Sequence, residues 1–191
     1  VLAVEGTVEA LPFGSAVWRP AINNERLYLR DQLRTAVKSR ATLLWADQSL
    51  LRLGRSTAVE IQQPTGSERR AILDLRNGAA YFFNREHASE AQFGTPETSG
   101  VIRGTEFHLA VEQSGRTVLT VLDGQADLSN DLGEVRLRSG EQGVVASGRA
   151  PTKTAVIDAI NLIQWASYYP PILDVRELDF ALEERRVLAD S

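Results

Sequence analysis

The two histidines, His87 and His108, are the first side chains to examine for chemistry, because imidazole titrates near neutral pH and often serves as a base or a metal ligand. His87 lies in a polar stretch. His108 alternates with Phe107 and Leu109 along a predicted strand, which places it on the solvent face. The chain has no cysteine and contains no G-x-S-x-G, G-x-G-x-x-G or P-loop string. We therefore expect both histidines to be ordinary surface residues without a catalytic, metal-binding or cofactor-binding role.

A group of acidic residues is the second source of chemistry to consider. It comprises Asp123, Asp127, Asp131 and Glu134, whose oxygens are the kind of ligand that calcium takes. Their spacing fits no EF-hand loop, and acids that alternate along a solvated sheet edge explain the pattern at least as well. No pair of carboxylates is set apart as the acid and base of a glycosidase. The sequence thus predicts a protein that is not an enzyme and needs neither a metal nor a cofactor.

Composition narrows the range of partners. The 191 residues have a net charge of −4 and a pI near 5.3, which argues against nucleic acid because phosphate binding needs clustered positive charge. No apolar run approaches the roughly 20 residues that span a bilayer. Methionine is absent even from position 1, so we expect the chain to be a processed product or a piece of a longer one.

The segment that organises the chain is centred on two glycines. Gly100 and Gly104 bracket three residues, a placement suited to two tight turns where a side chain would clash or where φ must be positive. From Thr105 onward, apolar and polar residues alternate as in a half-buried strand. We predict a short strand, a turn and a longer strand, with an ion pair between Arg103 and Glu106 that pins the turn.

Short strands separated by glycine-bearing corners recur along the first 150 residues. Three segments share one plan of apolar residues, a polar step, a glycine and a new apolar stretch, namely residues 73–82, 121–128 and 137–144. Residues 41–45 and 49–53 have the pattern of a hairpin. Such strands suit a mainly β domain built as a β-solenoid or β-helix-like stack, and a β-sandwich would give almost the same pattern.

The pattern changes after residue 150, where helical periodicity begins. Thr154 can cap a helix whose apolar residues recur at three- and four-residue steps, and Pro170 ends it. A second candidate helix begins at Asp174. We therefore divide the chain into a β domain, residues 1–150, and a helical extension or linker to a following domain, residues 151–191.

The central string resembles the hallmark of the FecR domain family, named for the ferric-citrate regulator. Its residues are Val101, Ile102, Arg103, Gly104, Thr105, Glu106 and Phe107, entered from Thr95 and Pro96. Asp31, Leu33 and Thr35 match a second family step, although the glycine that usually precedes the aspartate is absent. The resemblance covers roughly residues 1–148 and implies a periplasmic β domain of the bacterial envelope that acts in signalling. The anti-sigma segment and membrane span of the ferric-citrate regulators have no counterpart in these residues, so iron-transport regulation is not implied.

Aromatic residues outside the predicted core are the candidates for partner binding. Trp18 lies in a loop, and Trp165, Tyr168 and Tyr169 follow the first predicted helix. Tryptophan and tyrosine favour such positions because one end of each side chain is apolar and the other is polar. We predict a non-enzymatic sensing or scaffold module that binds a protein. The alternative is a carbohydrate- or peptidoglycan-binding module in which Trp18 and Tyr81 form the stacking platform.

The resemblance also suggests which proteins the module binds. One is another envelope protein, such as a receptor. The other is a set of tetratricopeptide-like repeats that follow in the same chain, because residues 163–173 resemble the segment after the FecR domain in large envelope proteins with such repeats.

Overall fold

Fourteen β-strands account for the regular structure in the residues that the computed structural model describes, which are 1–45, 49–62, 72–84 and 89–155. These residues belong to one compact unit, Val1–Ala159. A second unit, Ile160–Ser191, lies outside them, as do His87, Trp165, Tyr168, Tyr169 and the predicted helices beyond Ala155. The first residues of the predicted helical extension, Thr152–Ala155, form a strand. The described part contains no helix of the length and apolar character needed to cross a membrane.

The strands are short at the start of the chain and long in its middle. In chain order they are β1 (Ala3–Glu5), β2 (Val8–Leu11), β3 (Arg19–Pro20), β4 (Gln32–Thr35), β5 (Arg40–Leu44), β6 (Leu50–Leu53), β7 (Ala58–Gln62), β8 (Ile72–Phe83), β9 (Ser89–Gly94), β10 (Ser99–Val111), β11 (Thr117–Asn130), β12 (Gly133–Arg138), β13 (Glu141–Val145) and β14 (Thr152–Ala155).

All fourteen strands join one open sheet, which confirms the mainly β prediction. Its main path runs β14-β13-β11-β10-β9-β8-β7-β4-β2-β3, and β12, β1, β5 and β6 pair to the side of that path. The predicted hairpin is formed by β5 and β6. Every pairing is antiparallel except the one between β8 and β9. These pairings do not show the parallel rungs of a β-solenoid.

Three long strands, β8, β10 and β11, form the spine of the sheet. Each changes partner part of the way along. The first half of β10 pairs with β9 and its second half with β8, while β11 pairs first with β13 and then with β12. The spine therefore links two halves of the sheet that would otherwise be separate.

The hydrophobic core lies on one face of the spine, as the alternation of apolar residues requires. Leu75, Leu109 and Leu119 are fully buried there. The rings of Phe82 and Phe107 are stacked with their centroids 4.6 Å apart. Burying each such side chain contributes about 1.5–3 kcal/mol, so this face provides the principal stabilisation of the sheet.

The spine bends where Gly104 of β10 lies opposite Gly124 of β11. Gly124 has a φ of 113°, and a Cβ on Gly104 would lie 2.3 Å from the carbonyl oxygen of Asp123. The register shifts directly after Gly104, which marks a β-bulge. The predicted turn is therefore wrong, because β10 is one continuous strand. The clash expected at Gly104 is present, but it comes from the neighbouring strand.

The face of the sheet opposite the core carries a row of polar residues that is itself buried. Tyr81, His108 and Thr120 are cross-strand neighbours, and none is more than 6% exposed. Gln142 continues the row and donates to Oγ1 of Thr120 at 3.0 Å. The prediction of a solvent-facing His108 is therefore wrong: alternation gives the correct face, but that face is covered. Burial lowers the pKa of His108 from 6.5 to about 4.

The close approach of the two glycine backbones gives a first test. We expect Gly104→Ala to lower the free energy of unfolding by about 2–3 kcal/mol, because its Cβ would overlap a backbone carbonyl that cannot rotate away. Urea unfolding measures the change. Gly133→Ala is the matched control, since its Cβ would only approach the Ala150 methyl at 3.4 Å. Equal stability of the two variants would contradict this account of the bend.

Burial of His108 gives a second test. The folded state holds this imidazole neutral, so the unfolded state binds more protons between pH 6.5 and pH 4. The stabilisation is complete above pH 6.5 and declines by about 3 kcal/mol as the pH falls to 4. We expect His108→Gln to remove this part of the pH dependence of the unfolding free energy. Parallel pH curves for the two proteins would show that His108 titrates normally.

Candidate functional site

Exposed apolar side chains are concentrated in the two loops that flank β3. Eight large hydrophobic residues are exposed in the described part of the chain, and five of them lie between positions 13 and 29. These five are Phe13, Val17, Ile22, Tyr28 and Leu29, each between 45% and 70% exposed. We call the surface that they form on residues 12–30 the loop surface.

Asp31 holds both loops at their bases. Its carboxylate is buried and accepts two hydrogen bonds, from the N–H of Phe13 to Oδ1 and from the N–H of Tyr28 to Oδ2, each at 2.8 Å. Its backbone carbonyl accepts from the N–H of Ile61 at 3.0 Å, which ties it to β7. One side chain thus joins the loop before β3, the loop before β4 and the sheet.

A second acidic residue stiffens the loop between β3 and β4. Glu25 is hydrogen-bonded to the guanidinium of Arg19 and accepts from the N–H of Ile22 at 3.1 Å. Burial opposes the ionisation of Glu25, but these hydrogen bonds outweigh it and lower its pKa. Arg30 adopts a left-handed φ of 71° in the turn that leads to β4. The exposed apolar side chains therefore stand on loops with fixed anchor points.

Two arginines lie over aromatic rings of these loops. The guanidinium carbon of Arg30 is 3.8 Å from the ring centroid of Phe13, and that of Arg34 is 4.1 Å from the ring of Trp18. Each such cation–π contact contributes about 0.5–1 kcal/mol at an exposed site. Trp18, within residues 12–30, is half-buried, with one ring face covered by Arg34. Its role in partner binding stays a prediction.

The two terminal strands of the sheet differ in their suitability for accepting another strand. β3 consists of Arg19 and Pro20, and proline lacks the N–H that a further strand requires. All four residues of β14 are exposed, and Lys153 on this strand pairs with Glu141 at 3.0 Å. Strand addition is therefore suited to the β14 end and not to the β3 end.

The predicted ion pair between Arg103 and Glu106 does not form. Arg103 instead contacts Glu90 at 2.8 Å and Asp127 at 3.1 Å, both on neighbouring strands. Glu106 accepts a hydrogen bond from the hydroxyl of Tyr81, and burial together with this bond raises the pKa of the phenol. The bulge between the two residues explains their separation, because it re-aims the side chains that follow it.

The remaining residues of the central string also have structural partners. Thr105 is hydrogen-bonded to the carboxylate of Asp123, and Phe107 packs in the core. A Cβ on Gly100 would lie 2.5 Å from the carbonyl oxygen of Asp127. All of these contacts are made within the sheet, along β10 and its neighbouring strands.

Two of the acidic residues at positions 123–134 are hydrogen-bonded to other side chains of the same chain. Asp127 accepts a hydrogen bond from Arg136 at 2.6 Å and one from Arg103, and these bonds lower its pKa despite some burial. Thr105 is bonded to Asp123. Within the described ranges, no three histidine, cysteine, aspartate or glutamate side chains are grouped in a way that would hold a metal ion.

Sequence analysis missed the loop surface apart from Trp18. The sequence feature that pointed to this surface is Asp31, which matches the second family step and stands directly after a loop rich in apolar residues. Hydropathy alone assigns such residues to the core. Recognising that the aspartate ties two loops, and so leaves their apolar side chains outside, requires the hydrogen bonds to Phe13 and Tyr28.

The anchoring role of Asp31 gives a third test. In Asp31→Asn the amide nitrogen must face one of the two backbone N–H donors, so we expect a loss of about 1.5–3 kcal/mol in unfolding free energy. We also expect faster hydrogen exchange at the amides of Phe13 and Tyr28. Asp131→Asn is the control, because Asp131 is exposed. Unchanged exchange in the Asp31 variant would contradict the anchoring role.

Comparison with known proteins adds independent information. The family model described as FecR protein matches residues 31–127, just over half of the chain. Two crystal structures of a protein described as an anti-sigma factor from Parabacteroides distasonis superpose with a TM-score of 0.58 each, at 16% and 17% sequence identity. Each alignment covers 71% of this chain and 64% or 63% of the other. Because the sequence identity is so low, the likeness shows the fold alone. A search of curated proteins gave no match.

The family match and the local geometry agree on the same residues. The matched region contains Asp31, the anchor of the loop surface, and the string at residues 101–107 that forms the bend. The mainly β architecture of the described part is consistent with both. The chain belongs to the FecR protein family.

Proposed function

We propose that this domain is a non-enzymatic, periplasmic module of envelope signalling that binds a protein partner through the loop surface. Membership of the FecR family supports a regulatory role in the envelope. The structural relatives described as an anti-sigma factor support the same class of function. Partner binding by Trp165, Tyr168 and Tyr169, and contact with tetratricopeptide-like repeats downstream in the same chain, remain separate predictions, because residues 156–191 lie outside the described ranges.

The concentration of exposed apolar side chains on anchored loops is the observation that supports the proposal most directly. Exposed apolar clusters on a folded domain commonly mark interaction sites, and aromatic residues and arginine are enriched in protein interfaces. Loops with fixed anchor points also lose less conformational entropy on binding. The loop surface combines these properties through Phe13, Tyr28 and the anchor Asp31.

Glycan binding is the alternative, and the geometry supports it less well. Tyr81 is 6% exposed and lies in the buried polar row, so its ring is not accessible to a sugar. Trp18 is half-buried, with Arg34 over one ring face. A stacking platform needs an accessible ring face, so Trp18 is left as the single candidate of the two that the sequence suggested.

Capture of partners from the envelope fraction of the source organism tests the proposal. The purified chain serves as bait, with recovered proteins identified by mass spectrometry and a glycan array run in parallel. We expect a specific protein to be recovered, and recovery to fall at least about tenfold for Phe13→Asp combined with Tyr28→Asp, because charged groups would stand where apolar contacts form.

The control is Val37→Asp combined with Leu132→Asp, which alters two apolar side chains that are equally exposed but lie outside the loop surface. Thermal melts confirm that both double variants are folded. Equal recovery by the two variants would contradict the assignment to the loop surface. Glycan retention that is lost with Trp18→Ala would instead favour the alternative.

A further inference from the structure

We propose that the loop surface recognises an acidic protein segment, one in which aliphatic or aromatic side chains stand next to aspartate or glutamate carboxylates. This inference depends on the proposed function and adds the chemistry of the partner. It follows from the charges that the loops leave unpaired, from the position of Arg30 over the Phe13 ring and from the exposed apolar side chains of the same loops.

Both carboxylates of the two loops are bonded to groups within the loops themselves. Residues 12–31 contain three arginines, Arg19, Arg26 and Arg30, and two carboxylates, Glu25 and Asp31. Asp31 is buried against two backbone N–H groups, and Glu25 is bonded to Arg19. Within the described ranges, neither Arg26 nor Arg30 forms an ion pair. The loop surface is therefore locally positive on a chain whose net charge is −4.

Arginines elsewhere in the described part commonly do have carboxylate partners. Those in ion pairs are Arg34, Arg76, Arg103, Arg116 and Arg136. The sheet thus pairs many of its own cations, whereas the loop surface presents two that are available to a ligand.

Arg30 is positioned to accept a carboxylate. Its guanidinium carbon lies over the Phe13 ring at 3.8 Å, which restricts a long side chain that would otherwise sample many rotamers. The N–H donors of a guanidinium lie in its plane, so contact with a ring leaves donors for a bidentate bond to a carboxylate. A pre-positioned arginine beside an aromatic ring is an arrangement typical of interface hot spots.

Exposed apolar side chains lie on the same two loops as these cations. Val17, Ile22 and Tyr28 are each more than 60% exposed. Burying such side chains would supply affinity, while pairing of Arg26 and Arg30 with carboxylates would supply orientation and a faster encounter. A partner segment with only apolar residues would leave both guanidinium groups desolvated and unpaired, which is costly. An acidic, apolar segment satisfies both requirements.

An anionic membrane surface is the main competing ligand for a basic and aromatic patch. The geometry favours a protein segment. The Phe13 ring has a guanidinium over one face, so it cannot enter hydrocarbon without taking that charge with it. The loops are also pinned by Asp31, which limits the rearrangement that insertion would need.

Selection from a display library of random 12-residue peptides tests the inference, with the full chain as target. We expect selected peptides to be enriched in aspartate and glutamate together with leucine, isoleucine, phenylalanine or tryptophan. For a resynthesised peptide, Kd measured by fluorescence anisotropy should weaken at least about tenfold with Arg26→Glu combined with Arg30→Glu, and it should also weaken as salt is raised.

The charge-matched control is Arg55→Glu combined with Arg149→Glu, two exposed arginines outside the loop surface, which should change Kd less than about twofold. Enrichment of basic or uncharged peptides, or equal effects of the two double variants, would overturn the inference. Failure to enrich any peptide would also overturn it. Binding to vesicles of phosphatidylcholine and phosphatidylglycerol that is lost with Arg26→Glu and Arg30→Glu would assign the surface to an anionic membrane instead.

The envelope capture experiment separates this inference from the proposed function. If capture depends on Phe13 and Tyr28 but not on Arg26 and Arg30, the loop surface binds a protein, and the inference that the partner segment is acidic is wrong. If capture depends on none of the four, the proposed function and this inference both fail.

Discussion

The close approach of two glycine backbones, Gly104 on β10 and Gly124 on β11, sets the course of the longest strands of the sheet. The two longest strands are paired over their whole length, so they bend together or not at all. Only glycine permits the approach, because a Cβ on either residue would overlap the backbone of the other strand. The bulge that follows directs Phe107 into the core and Glu106 towards Tyr81. One local steric requirement thereby fixes the position of both halves of the sheet.

The loop surface depends on a different kind of constraint, a buried carboxylate. A hydrophobic sheet cannot by itself hold a loop in place, because loops make few apolar contacts. Asp31 supplies directional hydrogen bonds to two loops, and Ile61 ties the aspartate backbone to the sheet. The result is a pair of anchored loops that present apolar side chains to solvent, and the proposed binding of a protein partner rests on this combination.

The strands, the mainly β class and the family resemblance can be obtained from sequence, because alternation and glycine placement are local signals. The bend at Gly104 cannot, since a glycine required by a neighbouring strand looks the same in sequence as one required by positive φ. Alternation assigns His108 to the correct side of its strand, but it does not show whether that side is covered. Arg103 has its partners on strands distant in sequence, whereas the ion pair expected from the sequence joined two residues that are close together in the chain. The loop surface escapes detection for the same reason, because its exposure depends on hydrogen bonds to Asp31.

Hydrogen–deuterium exchange of the chain alone and with its captured envelope partner distinguishes binding through the loop surface from binding at the edge of the sheet. It reports which backbone amides become protected when the partner binds. We expect protection at residues 12–31, with the amides of β14 and of β12 unchanged. Protection confined to β14 would show that the partner adds a strand to the open edge of the sheet, and it would contradict partner binding through the loop surface.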